Sequence, residues 1–145
     1  MARLLSWVLA FALGAQLLLP VTAQSASPQV KELNFVLLHG AATDDADMQL
    51  LDDAINDSAP PFIASYEKAN PGTKIQINLL RRSYPSDAGI EAWAGNIAAD
   101  VGKRFAGKQN LIIVGHSMGG KAALYAVARD IGGLAKKTAV VATIN

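Results

Sequence analysis

One stretch combines the residue types and spacing that chemistry needs: Gly115-His116-Ser117-Met118-Gly119, followed by Gly120 and Lys121. The serine has a glycine two residues away on either side. It lies between the apolar run 111–114 and an alanine-rich helical pattern, so it fits the G-x-S-x-G nucleophile elbow. Such a turn is strained so that the hydroxyl stands clear, and the glycines make room for neighbouring backbone. The helix that starts just after it offers unpaired N–H groups and a favourable dipole to a developing oxyanion. The same residues, read from Gly115 to Gly120 and Lys121, also satisfy G-x-x-x-x-G-K, the opening of a phosphate-binding loop. That loop next requires serine or threonine to hold magnesium, and Ala122 stands there. No strand ends in the second acidic residue that nucleotide hydrolysis needs. Acyl transfer therefore accounts for these residues better than phosphate binding does.

A second apolar run ends in His39-Gly40-Ala41. An acyl-transfer site needs a loop whose backbone N–H reaches the oxyanion from the side opposite the elbow helix. The expected donors are the N–H of Met118, just after the serine, and that of Ala41. Alone, His39 would read as a turn histidine bonded to nearby backbone; paired with the elbow, it marks the oxyanion loop. His116, next to the serine, is expected to pack around the turn rather than act as its base. Ser117 itself needs a proton acceptor. After it the sequence holds one acidic residue, Asp130, and no histidine. Asp130, late on the elbow helix, reads as a solvated or capping side chain, and Lys121 as solvated. His39 is the other candidate base, set against its loop's role toward the oxyanion.

The motifs "LLHG" and "GHSMGG" resemble the α/β-hydrolase superfamily, in the form seen in lipases, esterases and inositol-deacylase-like hydrolases. The resemblance covers about residues 33–145. It implies that Ser117 attacks an ester or related acyl carbonyl to give a covalent acyl-enzyme, which water hydrolyses. It implies an α/β fold whose strands are numbers three to six of the superfamily sheet, in spatial order 4-3-5-6. The superfamily order is serine, acid, histidine. The chain thus reads as the N-terminal part of such a fold, a fragment with an incomplete triad. The alternative is a non-catalytic hydrolase-like domain for an acyl ligand or a protein partner. The implied substrate is a small-molecule or lipid ester, with a membrane surface reached only through a lipid substrate. No cofactor or metal is implied.

These residues must be held by a scaffold, and the hydrophobic pattern supplies one. "LNFVLLHG" reads as a buried strand, and "TDDADMQLLDDAIND" as a helix capped by Thr43 or Asp44, with Met48, Leu51 and Ile55 at helical spacing. Pro60-Pro61 is expected to end that helix, with "FIASYEKAN" forming a second short one before the turn "NPGT". "KIQINLL" is a second strand. The pattern in "AGIEAWAGNIAADVGKRF" puts Ile90, Trp93, Ile97 and Val101 on one helical face, with Gly107 as its stop. Trp93 at that spacing is core rather than a carbohydrate platform. "NLIIVGHS" is the third strand, "MGGKAALYAVARDIGG" the elbow helix and "KTAVVATIN" the fourth strand. Strands alternating with helices imply a parallel sheet of about four strands with helices on its faces. Sites in such sheets form beyond the carboxyl ends of the strands, where both loaded tripeptides fall.

The first 23 residues read as a signal peptide: Arg3, the apolar stretch 4–19, Pro20, then small residues before Gln24. Export to the periplasm or beyond is the expectation. Residues 24–32 are a polar lead-in and 33–145 the domain. The chain is 51% hydrophobic and 17% charged, which places it among folded proteins. The net charge is +1 and falls to zero without Arg3, so no basic field draws nucleic acid, and Arg81-Arg82 reads as a solvated pair. With no cysteine there is no disulfide framework, and two histidines do not make a zinc site. "TDDAD" lacks the glycine and closing glutamate of a calcium loop and reads as an acidic helix start.

Overall fold

The computed structural model describes residues 27–144 with the exception of Ser83. The expected leader at residues 1–23 lies outside the described residues. Among the described residues there are four strands: β1 (Gln29–Leu38), β2 (Thr73–Arg82), β3 (Leu111–His116) and β4 (Thr138–Ile144). Between them run α1 (Gln49–Ala69), α2 (Ile90–Arg104), α3 (Met118–Ala128) and the single turn α4 (Leu134–Lys137). All pairings are parallel and the order is β2-β1-β3-β4, the neighbour order expected. A parallel pair cannot be closed by a tight turn, so each connection carries a helix.

The strand faces explain where the helices go. Side chains alternate along a strand, and Val36, Leu80 and Ile113 share the face covered by α2 and α3. Trp93, Ile97 and Val101 of α2 and Ala122, Ala123 and Ala126 of α3 complete that core. Three of the four predicted α2 positions are fully buried, and Ile90 is partly so. The small alanines let α3 lie close to the sheet. On the other face α1 rests over Leu33, Phe35 and Ile77, and buries no residue of its own completely.

Four expectations need correction. Pro60 and Pro61 do not end the helix; α1 runs through both. Proline removes the N–H that would reach four residues back, which frees the carbonyls of Asn56 and Asp57. All four residues are exposed, so water can satisfy those carbonyls. The lead-in is not separate either. Residues 29–32 form the start of β1 and pair with residues 73–76 of β2, beyond the reach of β3, whose pairing begins at Asn34. Being covered on one edge only, residues 29–31 stay exposed, Val30 included, and Glu32 is half-buried. Arg81 and Arg82 are not merely solvated: Arg81 lies 3.6 Å from Asp52 and bonds Gln49, and Arg82 lies 3.3 Å from Asp100. The elbow helix stops at Ala128, short of the glycine pair, because Asp130, Gly132 and Gly133 all take left-handed conformations.

Asp44, rather than Thr43, is the cap. Its side chain accepts the N–H of Ala46 at 2.8 Å and opens a 3-10 turn, Asp45–Met48, that leads into α1. Among the described residues, no helix is long and apolar enough to cross a membrane.

Candidate active site

The chain leaves β1 toward β2 on one side of the sheet, while β3 leads to β4 on the other. The crevice between the carboxyl ends of β1 and β3 is thus the switch point where open sheets bind ligands. Leu38 pairs with Gly115 across it, so the two loaded tripeptides emerge side by side.

Ser117 sits at the strand-to-helix turn with φ 47° and ψ −112°, a conformation that costs a side-chain-bearing residue of order 1–3 kcal/mol. Its surroundings hold it there. Its N–H donates to the Ile144 carbonyl at 2.8 Å, and its own carbonyl accepts the Lys121 N–H at 3.1 Å, opening α3. The residue is half-buried. The glycines have steric causes. A Cβ on Gly115 would lie 2.5 Å from the Gly120 nitrogen, and one on Gly119 would lie 2.4 Å from the His39 carbonyl oxygen. Gly120, which the motif does not require, is held by β3 first and β4 second: a Cβ there would lie 2.8 Å from the Gly115 carbonyl oxygen and 3.0 Å from the Thr143 side chain.

Gly40 faces this elbow directly. A Cβ on it would lie 2.7 Å from His116 Nδ1 and 3.3 Å from the Ser117 Cβ. His116 therefore packs over the Gly40 backbone, as expected of a residue filling the turn.

His39 is fully buried, against Trp93 at 4.9 Å and Tyr84 at 6.4 Å between ring centres. Its Nε2 accepts the backbone N–H of Tyr84 at 2.9 Å. The proton of the neutral ring must then be on Nδ1, which donates to the Gly40 carbonyl at 2.6 Å. With both nitrogens engaged, His39 is not available as the base for Ser117, and that role is withdrawn. The ring instead fixes a peptide. In a trans peptide the C=O and the following N–H point in opposite directions, so the Ala41 N–H is aimed away from His39. Thr43 Oγ1 donates to the same Gly40 carbonyl at 2.9 Å. Ser86 Oγ accepts the N–H of Ala42 at 2.9 Å, a residue in the left-handed region at φ 61°. Among the described residues, the N–H groups of Ala41 and Met118 make no hydrogen bond to protein, and none connects a histidine to Ser117.

No family model, curated protein or solved structure matches this chain. The site stands on its own geometry.

Beside the elbow, His116 and Ile144 form a pocket of about 420 Å³ with Asp47, Met48, Leu50 and Leu51. Tyr84, below the crevice, donates its hydroxyl to Asp100 at 3.1 Å, and burial together with that carboxylate pushes the phenol well above its ordinary value. Asp130 accepts the Ala135 N–H at 3.0 Å, a capping role, and Lys121 is exposed. Among the described residues, no three His, Cys, Asp or Glu side chains are grouped to hold a metal ion. Ser86 and Tyr84 were not identifiable as supports from sequence. Ser86 lies 44 residues from the loop it braces, in a turn-like "YPSD" whose composition announces only a turn.

Proposed function

We propose that this protein is a serine hydrolase of lipase or esterase type in the α/β-hydrolase superfamily, with Ser117 as nucleophile and the N–H groups of Met118 and Ala41 as oxyanion donors. The observation that carries the reading is the strained Ser117 held against Gly40 at the switch point of a parallel sheet. In the reaction, Ser117 Oγ bonds to the acyl carbon of an ester and the bond to the alcohol oxygen breaks. The serine proton leaves with the alcohol. Water then attacks the acyl-enzyme, releasing the carboxylic acid and returning a proton to Ser117. Negative charge on the carbonyl oxygen is greatest in the tetrahedral intermediates, where fixed N–H donors help most; losing one such donor typically slows acyl transfer by about 10²–10³.

A second reading has its own support. Both His39 nitrogens serve the backbone, so the described residues offer Ser117 no hydrogen-bonded histidine. A non-catalytic domain that binds acyl esters would share this geometry. A fluorophosphonate probe separates the two: Ser117 Oγ displaces fluoride from phosphorus only where it is activated. Labelling of the folded chain, lost in Ser117→Ala, supports the hydrolase; an unlabelled folded chain overturns it and leaves the binding domain.

A further inference from the structure

We infer that the pocket formed by Met48, Leu50, Leu51, His116 and Ile144 holds the uncharged alkyl tail of the acyl group, making the preferred substrates esters of longer-chain fatty acids. The inference rests on the nucleophile assignment and goes beyond it by naming the substrate class. Position comes first. His116 precedes the nucleophile, and the carbonyl of Ile144 accepts the Ser117 N–H, so two lining residues flank Ser117. The wall of the cavity thus begins at the residue before Ser117, within reach of a long acyl chain and not of a short one. Chemistry comes second. Met48, Leu50, Leu51 and Ile144 supply apolar wall, and each methylene of an alkyl chain laid against them leaves water. Asp47, also on the lining, disfavours a tail that carries a carboxylate of its own. Exposure comes third. Leu50 is 82% exposed although large and apolar, and a seated chain would cover it. The volume of about 420 Å³ accommodates more than a short acyl group, since a water takes about 30 Å³ of liquid.

The test is the rate at which Ser117 is phosphonylated by a series of alkyl phosphonofluoridates, from ethyl to octyl to dodecyl, followed by intact mass. The readout is the octyl-to-ethyl rate ratio, at probe concentrations below micelle formation. The expected ratio is at least tenfold in the unaltered chain and close to one in Leu51→Trp, which fills the pocket. Leu50→Asp, at an exposed position that tolerates polarity, lowers it too, whereas Leu124→Asp on the exposed side of α3 keeps it. A ratio near one in the unaltered chain, or one that survives both pocket variants, overturns the acyl pocket while Ser117 stands as nucleophile. No labelling by any probe in a folded chain overturns the nucleophile assignment and the pocket's role with it.

Discussion

Gly40 lies so close to the elbow that a Cβ on it would stand 2.7 Å from the His116 ring and 3.3 Å from the Ser117 Cβ, with no atom between. This contact is where the two halves of the proposed site meet. It also separates two kinds of glycine. The neighbour threatened at Gly40 is mainly a half-buried side chain that can turn. At Gly119 the neighbours are the His39 and Leu38 carbonyl oxygens, at 2.4 and 2.9 Å, which cannot move without the end of β1. Gly119→Ala is expected to cost about 3 kcal/mol or more, and Gly40→Ala only about 1 kcal/mol, as overpacking of different stiffness. Urea midpoints measure both. Gly40→Ala should nevertheless slow phosphonylation of Ser117 more than tenfold, because the displaced ring presses on the nucleophile.

Ser117 carries strain that its hydroxyl does not require for folding. At φ 47° and ψ −112°, a residue without Cβ would be more comfortable. Ser117→Gly should therefore be more stable than Ser117→Ala by about 1 kcal/mol, even after the entropy that glycine gains in the unfolded chain. Both variants lose the reactive oxygen. Equal urea midpoints for the two would mean that the turn is relaxed.

Much of this was legible because the features are local. Strand–helix alternation announced the parallel sheet, and the glycines around Ser117 announced a tight strand-to-helix turn, since both depend on residues within a few positions of each other. Trp93, Ile97 and Val101 announced the core through their spacing. What escaped depends on distant partners. Nothing near His39 says that Tyr84 donates to its ring, or that Ser86 meets Ala42. Residues 29–32 look like a tail because their pairing with β2 spans 44 residues. Pro60 and Pro61 looked like a stop because the rule weighs lost hydrogen bonds without knowing that the freed carbonyls face water.

That same pair gives a stability prediction. In an interior helical position proline is about 3 kcal/mol less favourable than alanine, but alanine also loosens the unfolded chain, which returns about 1 kcal/mol. Replacing Pro60 and Pro61 together by alanine should raise stability by about 2 kcal/mol or more. The urea midpoint and helical circular dichroism should both increase. A decrease would show that α1 does not run unbroken through residues 60 and 61.

His39 and Ser86 brace the Ala41 peptide from two sides and should differ in what they cost. His39→Ala leaves the Tyr84 N–H without its partner in a fully buried place, while the Gly40 carbonyl keeps the Thr43 hydroxyl. The orphaned donor costs about 1–3 kcal/mol, and the cavity left by the ring adds to that. A loss of about 4 kcal/mol in urea unfolding is expected. Ser86 is exposed, so in Ser86→Ala water can take over the Ala42 N–H and stability should move by less than about 0.5 kcal/mol. Its signature is kinetic: a slower phosphonylation step at saturating probe, with little change in the concentration for half-saturation.

Tyr84 offers a test on the alkaline side. Its hydroxyl is buried and donates to Asp100, and burial first, then that carboxylate, raise its ionisation above the ordinary value of 10.0. Above about pH 10 the unfolded chain gives up this proton while the folded chain keeps it. The folded state then binds more protons, so stability falls as pH rises, by up to about 1.4 kcal/mol per pH unit. Below pH 10 the contribution is complete. Tyr84→Phe removes both the hydrogen bond and the titration. At pH 8 it should be less stable than the unaltered chain by about 1 kcal/mol, and the gap should close as the pH is taken past 10. Urea unfolding at pH 8, 9, 10 and 11 measures it. Two curves that stay parallel to pH 11 would mean that the hydroxyl is solvated and the Asp100 contact does not form.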